Sequence, residues 1–209
     1  MTPKIYFEGV ITSIQPRIRL VRSFDERHHN YLGYVLSIHG SIGNDERGFI
    51  VAVGKGTHAK HQFQVSKEVS GECMSVVDSR KEIAEFYRVS KLKVQSQPKR
   101  MNLTPPPWLG IPPDLQVYRE RGHRRLASIT YDKSCMGCIW GCKMPVEIIV
   151  DHWNPTKKQY RFETFCYGPK SCELYKPGPM RKVPGRKGMI YEEPDWVDEE
   201  ETAHRGQDD

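Results

Sequence analysis

The sequence predicts a mainly β protein with two folded units joined by a connector. Alternating apolar and polar residues recur through the first 95 residues, a proline-rich stretch follows, and a strand–turn–strand pattern with most of the cysteines comes next. Alternation at every second residue is typical of half-buried strands. The predicted divisions are residues 1–95, a connector over 96–114, a cysteine-rich unit over 115–190 and an acidic tail over 191–209.

Five strands are predicted in the first unit. The first alternates over residues 5–14 and continues beyond Pro16, where the proline indicates an edge, a bulge or a bend. The next four strands are predicted over residues 31–40, 49–53, 71–77 and 87–94. Residues 41–48 have the Asn, Asp and Gly residues of a tight turn. Between the third and fourth strands, Thr57 is placed to cap one or two helical turns.

Five strands with a short helix between the third and fourth resemble the OB-fold. The resemblance covers residues 5–95 and depends on the order of the elements rather than on a diagnostic motif. It implies that oligonucleotides bind across strands two and three and the loops beside them. We therefore expect a five-stranded OB-like barrel followed by a small cysteine-rich, metal-binding β-hairpin module.

The connector is too rich in proline for regular structure, so it is expected to be extended and semi-rigid. Its Trp108, Leu109 and Ile111 indicate that it packs against another part of the protein. Beyond it, residues 126–131 alternate like a strand that leads into the cysteines.

Five of the six cysteines are close together along the chain. They are Cys135, Cys138, Cys142, Cys166 and Cys172. A strand over residues 146–153, a turn over 154–159 and a strand over 160–165 separate the first three from the last two. Closing this hairpin would bring the two groups together. Thiolates gathered in this way suit zinc or an iron–sulfur cluster.

Zinc is the leading interpretation, because four ligands can be drawn from both arms of the hairpin, as in zinc ribbons. The preferred ligands are Cys135, Cys138, Cys166 and Cys172. Ribbons usually have two Cys-x2-Cys pairs, whereas the second pair here has a spacing of x5. Because Cys135, Cys138 and Cys142 are closely spaced, an iron–sulfur cluster remains an alternative to zinc. Two further interpretations of the cysteines are disulfides, which require an oxidising compartment, and buried thiols without any ligand.

The charge of the 209-residue chain is distributed unevenly. Its formal net charge is +6, but residues 192–209 have nine acidic side chains and one basic side chain, a net of −8. Residues 1–191 therefore have 31 basic and 17 acidic side chains, a net of +14. A strongly basic body indicates a polyanionic partner such as nucleic acid. The tail is interpreted either as a solubility device or as a mimic of nucleic acid that folds back.

The candidate contacts to nucleic acid are basic residues and one aromatic residue. They are Arg17, Arg19, Arg22, Tyr34, Lys55, Lys60, Arg121, Arg124 and Arg125. Arg17, Arg19 and Arg22 are expected to share one face of the first strand, because side chains alternate between the two faces. Tyr34 is interpreted either as core or as a stacking surface for a base.

These observations predict a protein that binds single-stranded or structured RNA or DNA and has a structural thiolate–metal site. An adaptor subunit of a larger complex and an iron–sulfur redox protein are the competing hypotheses. Catalysis has weak support, since no nucleophile elbow, phosphate-binding glycine loop or His-Glu-x-x-His motif is present, and a redox enzyme stays an alternative if the metal is an iron–sulfur cluster. Without a visible secretory signal or an apolar stretch of about 20 residues, a cytoplasmic protein without a membrane partner is expected.

Overall fold

The computed structural model describes residues 3–95 and 110–207 of the chain. Most of the predicted connector, including Trp108 and Leu109, lies outside the described residues. The strands are β1 Ile5–Arg22, β2 Arg27–Ile42, β3 Asp45–Gly54, β4 Glu68–Ser75, β5 Phe86–Val94, β6 Arg124–Arg125, β7 Gly141–Ile149, β8 Lys158–Cys166, β9 Arg181–Pro184 and β10 Ile190–Glu193. The protein is mainly β, as predicted.

Short helices connect these strands. The α-helices are α1 Lys55–His61, α2 Leu115–Arg121, α3 Ser128–Thr130 and α4 Trp196–Thr202. Two 3₁₀ turns span Ser79–Lys81 and Arg186–Gly188, and a π-helical turn spans Tyr131–Cys135. Helix α1 lies between β3 and β4, where the sequence predicted helical turns. None of the helices in the described ranges is long and apolar enough to cross a membrane.

The first five strands pair in a closed ring. Strand β1 is antiparallel to both β2 and β4, β2 is antiparallel to β3, and β4 is antiparallel to β5. A parallel bridge between Val51 of β3 and Phe86 of β5 completes the ring. Pro16 lies between the stretch of β1 that pairs with β4 and the stretch that pairs with β7. The missing N–H of the proline therefore interrupts neither of these ladders.

The β7–β8 hairpin continues the same sheet. Its strands pair from Gly141 opposite Cys166 to Ile149 opposite Lys158, and β7 lies parallel to β1. Strand β7 begins at Gly141, five residues before the prediction, because alternate side chains from Cys142 onward face the core. A shared core joins the hairpin to the ring and includes Phe7, Ile11, Leu36, Val51, Met144, Val146 and Phe165. The hairpin therefore packs with the ring, and the predicted domain boundaries stay predictions.

The region before the hairpin differs from its prediction. Residues 126–131 were expected to form a strand, but they contain α3 and the beginning of the π-helical turn. Leu126 and Tyr131 are buried, whereas Ile129 is exposed. The alternating apolar residues in 126–131 therefore do not alternate between buried and exposed positions.

Candidate metal site and nucleic-acid interface

Four of the clustered cysteines line one small apolar cavity. They are Cys135, Cys138, Cys166 and Cys172. The register of the hairpin explains their proximity, because Gly141 lies opposite Cys166 and follows Cys138 by three residues. Leu126, Trp140 and Tyr175 contribute to the walls of the cavity. All four cysteines are free thiols.

Cys142 lies apart from this cavity. Its side chain is fully buried in the shared core, and its thiol donates a 3.4 Å hydrogen bond to the carbonyl oxygen of Pro16. The residue therefore occupies an inward-facing position of β7 and does not line the cavity with the other four cysteines. Cys73 is also a fully buried core side chain.

Two of the cavity sulfurs accept hydrogen bonds from the backbone. The N–H of Trp140 donates to Cys138 Sγ and the N–H of Gly168 donates to Cys166 Sγ, both at 3.4 Å. In each case the donor lies two residues after the cysteine. Hydrogen bonds of this kind stabilise the thiolate, which is the form of cysteine that binds metals.

The electrostatics of the cavity favour neutral thiols when no cation is bound. Burial, together with the neighbouring thiols, raises the pKa of Cys135 to about 11 and that of Cys138 to about 12. Burial also raises the pKa of Cys166, although the N–H of Gly168 and the guanidinium of Arg124 oppose this shift. A bound cation would supply the missing positive charge, and the thiols would release protons as it bound.

A buried amide fastens the cysteine loop to β1. Gln15 is 4% exposed, and its Nε2 donates to the carbonyl oxygens of Cys135 at 2.8 Å and Cys138 at 3.0 Å. Its Oε1 accepts a 2.6 Å hydrogen bond from the Tyr131 hydroxyl. A Cβ on Gly141 would lie 2.5 Å from the Cys135 carbonyl oxygen, so this close approach requires glycine. Gln15 was not among the predicted site residues, since a polar residue in a strand usually faces solvent.

The sulfur atoms of the four cavity cysteines are not arranged as a metal coordination shell. Within residues 3–95 and 110–207, no three Cys, His, Asp or Glu side chains are placed so that they could hold a metal ion as they stand.

Two of the arginines expected to bind nucleic acid are buried in ion pairs. Arg22 and Arg125 are 3% and 4% exposed. Arg22 Nη2 lies 3.1 Å from Glu193, and Arg125 Nε lies 2.8 Å from Asp198. The expectation that Arg22 shares a face with Arg17 is wrong. The two residues are five positions apart, and an odd separation along a strand places side chains on opposite faces.

The acidic tail supplies most of the partners of these arginines. Four arginines, here called the paired arginine cluster, contact it: Arg22, Arg27, Arg125 and Arg181. Glu193 alone contacts three of them, and Glu201 lies 3.4 Å from Arg27. The tail thus folds back onto the basic body and neutralises part of it.

The other residues predicted to contact nucleic acid differ in their burial and in their partners. Arg17 is in contact with Glu82, and Arg19 lies 4.0 Å from the same carboxylate. Of the two interpretations of Tyr34, the core one is confirmed, because its side chain is 1% exposed and its hydroxyl donates to the carbonyl oxygen of Pro113 at 2.7 Å. Tyr34 therefore offers no stacking surface. Lys55 and Lys60 lie exposed on α1.

Arg121 and Arg124 support the loop that follows Cys166. Arg121 donates to the carbonyl oxygen of Tyr167 at 2.9 Å, and Arg124 donates to that of Pro169 at 2.8 Å. Their guanidinium groups lie over the rings of Trp140 and Tyr175, two walls of the thiol cavity. These contacts suit a supporting role at the candidate metal site.

The structure reveals a basic and aromatic surface that the sequence did not indicate. We call it the aromatic strip, and its members are Tyr160, Phe162, Arg80, Lys81 and Lys143. Tyr160 and Phe162 share one face of β8, while the cations come from the 3₁₀ turn Ser79–Lys81 and from β7. Since three separate segments form it, no single stretch of sequence contained the signal.

No known family model, curated protein or solved structure matches the chain. The case for a function therefore depends on the chain's own residues.

Proposed function

We propose that this chain is a nucleic-acid-binding protein with an OB-type barrel and a structural zinc site. The order of the ring carries the proposal. Its pairings run β1–β2–β3–β5–β4 and back to β1, with α1 between β3 and β4. OB-folds are five-stranded Greek-key barrels that bind oligonucleotides, and the basic body of this chain supplies the charge that such a ligand needs.

The four thiols that line one cavity support zinc as the metal. Four cysteine ligands make a closed zinc site, which stabilises a fold and leaves no open position for chemistry. The position of Cys142 in the core, with its thiol on Pro16, argues against the tight cysteine triple of an iron–sulfur cluster. Zinc bound here would fix the loop that Gln15 attaches to β1.

An adaptor subunit of a larger protein complex is the competing hypothesis. The acidic tail would be its natural docking segment, yet Glu193, Asp198 and Glu201 already pair with arginines of the same chain. This pairing favours nucleic acid as the partner of the remaining basic surface.

Fluorescence anisotropy with labelled single-stranded RNA and DNA tests nucleic-acid binding. Oligonucleotides of about 15 residues cover the known range of OB-fold site sizes. We expect an affinity that falls steeply between about 50 and 200 mM salt, because phosphate contacts release counterions. No binding to any such oligonucleotide at the lower salt concentration would reject the proposal.

Metal analysis and a visible spectrum of anaerobically purified protein test the cofactor. We expect a colourless protein with about one zinc per chain. Cys166→Ser should lower the zinc content, whereas the core variant Cys142→Ala should retain it. A brown protein with iron and sulfide, or equal metal content in both variants, would contradict the proposed site.

A further inference from the structure

We propose that the aromatic strip binds single-stranded nucleic acid by stacking bases on Tyr160 and Phe162. This inference deepens the proposed function and rests on it. It also assigns a contact surface away from the face that OB-folds commonly use.

The aromatic side chains stand on the same face of β8. They are two residues apart, which separates them by about 7 Å along the strand and points both to one side. Phe162 is 42% exposed and lies opposite Pro145, while Tyr160 lies opposite Glu147. The exposed ring of Phe162 can therefore offer surface to one base, and the half-buried ring of Tyr160 offers a smaller surface to the next.

Cations surround the two rings. The Arg80 guanidinium lies 4.8 Å from the centre of the Tyr160 ring, and Lys81 Nζ lies 5.4 Å from it. Lys143 Nζ lies 5.9 Å from the centre of the Phe162 ring. Phosphates that flank a stacked base would therefore meet positive charge at both rings. Proteins that bind single strands combine these two features, a basic path for the backbone and aromatic rings for the bases.

The local acids leave the strip positive. Asp78 accepts hydrogen bonds from Arg80 at 2.9 and 3.0 Å, which holds that guanidinium beside Tyr160. Glu147 is in contact with Lys158. Two carboxylates thus stand among four cations. The net positive charge of the strip favours an anionic ligand such as nucleic acid over a protein surface that has few acidic residues.

The usual OB-fold contact face is partly covered in this chain. Val35 of β2 and Ala52 of β3 are buried under Ala84, which belongs to the segment between β4 and β5. A strand of nucleic acid could not reach this part of β2 and β3 without displacing that segment. The covering segment follows directly from the 3₁₀ turn that presents Arg80 and Lys81, so the strip lies beside it.

A single strand fits better than a duplex. Stacking on a side chain needs a base whose flat face is free, and paired bases present only their edges and the phosphate backbone. We therefore expect the strip to prefer a single strand over a duplex of the same sequence.

Aromatic substitutions test the inference. In the full-length protein, Phe162→Ala and Tyr160→Ala should each weaken binding of labelled oligo(dT) by roughly tenfold, the loss expected when one stacked base is released. Phe162→Trp should restore binding, because it keeps a flat ring. Phe162→Leu keeps apolar volume without a flat ring and should bind like Phe162→Ala, which separates stacking from folding. Tyr6→Ala is the matched control, since Tyr6 is 53% exposed and its hydroxyl contacts Glu8 rather than a cation.

The outcomes separate this inference from the proposed function. Wild-type protein that binds no oligonucleotide would reject both. Wild-type binding that Phe162→Ala and Tyr160→Ala leave unchanged would reject the strip alone. Equal binding of duplex, or of polyglutamate, with the same loss in the variants would show a surface that recognises charge and would overturn base stacking.

Discussion

The paired arginine cluster and the aromatic strip are both rich in positive charge, but their surroundings differ. Arg22 is buried against Glu163 and Glu193, and the acidic tail neutralises its neighbours. In the strip, Arg80 pairs with Asp78, but its side chain is 65% exposed and lies beside an aromatic ring. The density of arginines in a sequence therefore does not locate a polyanion site. Both regions contain ion pairs, and the burial of those pairs decides which cations can still contact a polyanion.

Glu193 is the carboxylate on which the paired arginine cluster depends most. Burial by itself would raise its pKa, but Arg22, Arg27 and Arg181 outweigh burial and hold the pKa of Glu193 below its usual value of 4.5. The glutamate therefore stays charged at neutral pH.

The largest expected effect comes from removing that charge. Glu193→Gln should lower the free energy of unfolding by about 3 kcal/mol, because it removes the carboxylate that Arg22, Arg27 and Arg181 share and leaves excess positive charge in a buried cluster. Glu192→Gln is the matched control, since Glu192 is an exposed neighbour whose contact with Lys182 contributes at most about 1 kcal/mol. Chemical denaturation of both variants measures the difference. Equal stability of the two variants would remove the distinction between buried and exposed pairs.

Acidification provides a second test of the same region. The rings of His29 and His123 lie 4.8 Å apart, and burial followed by nearby arginines lowers the pKa of His29 to about 4. Burial also lowers the pKa of His123 well below 6.5. Both histidines bind protons more readily in the unfolded chain, so stability is complete above pH 6.5 and falls as the pH drops toward 4. Each contributes at most about 1.4 kcal/mol per pH unit.

The measurement is the free energy of unfolding at pH 7 and pH 5. His29→Gln should lose less stability over this interval than the wild type, because one of the two titrating groups is gone. His39→Gln changes an exposed histidine of β2 and should behave like the wild type. An identical pH dependence of stability in all three proteins would contradict the claim that the buried His29 causes part of the loss on acidification.

The smallest expected effect concerns the strip. Replacing Arg80 and Lys81 together by Gln should reduce the slope of log affinity against log salt by about 1.4, since each single-strand phosphate contact contributes about 0.7. The control replaces Lys4 and Lys91, two exposed lysines that both contact Glu72. Anisotropy titrations at several salt concentrations measure both slopes. A larger change in the control would place the phosphate path elsewhere.

Much of the ring followed from the sequence because its elements are local patterns. Alternation in β1 and β2 predicted strands that the structure contains, but the turn predicted over residues 41–48 is shorter, because β2 extends to Ile42 and β3 begins at Asp45. Residues 126–131 show the limit of this reasoning. Their alternation is that of a strand, but packing around Leu126 and Tyr131 produced helical turns instead.

The cysteines show both what spacing along the chain can predict and what it cannot. Its clustering and hairpin spacing predicted a preferred group of four thiols, and these four line one cavity. The separate place of Cys142 was not predictable from spacing, since it depends on which face of β7 meets the core. The link from Gln15 to the cysteine loop spans 120 residues of chain and was also invisible.

Four properties of this protein could be predicted without coordinates: the mainly β class, most of the strands of the ring, the grouping of thiols and the opposite charges of body and tail. These properties depend on residue type and on spacing between near neighbours. The tertiary structure decided which arginines the tail neutralises and that Tyr34 is core. It also decided that Tyr160 and Phe162 stand among cations from two other segments. Such contacts join residues far apart in the chain, and only the packing of the sheet brings them within reach.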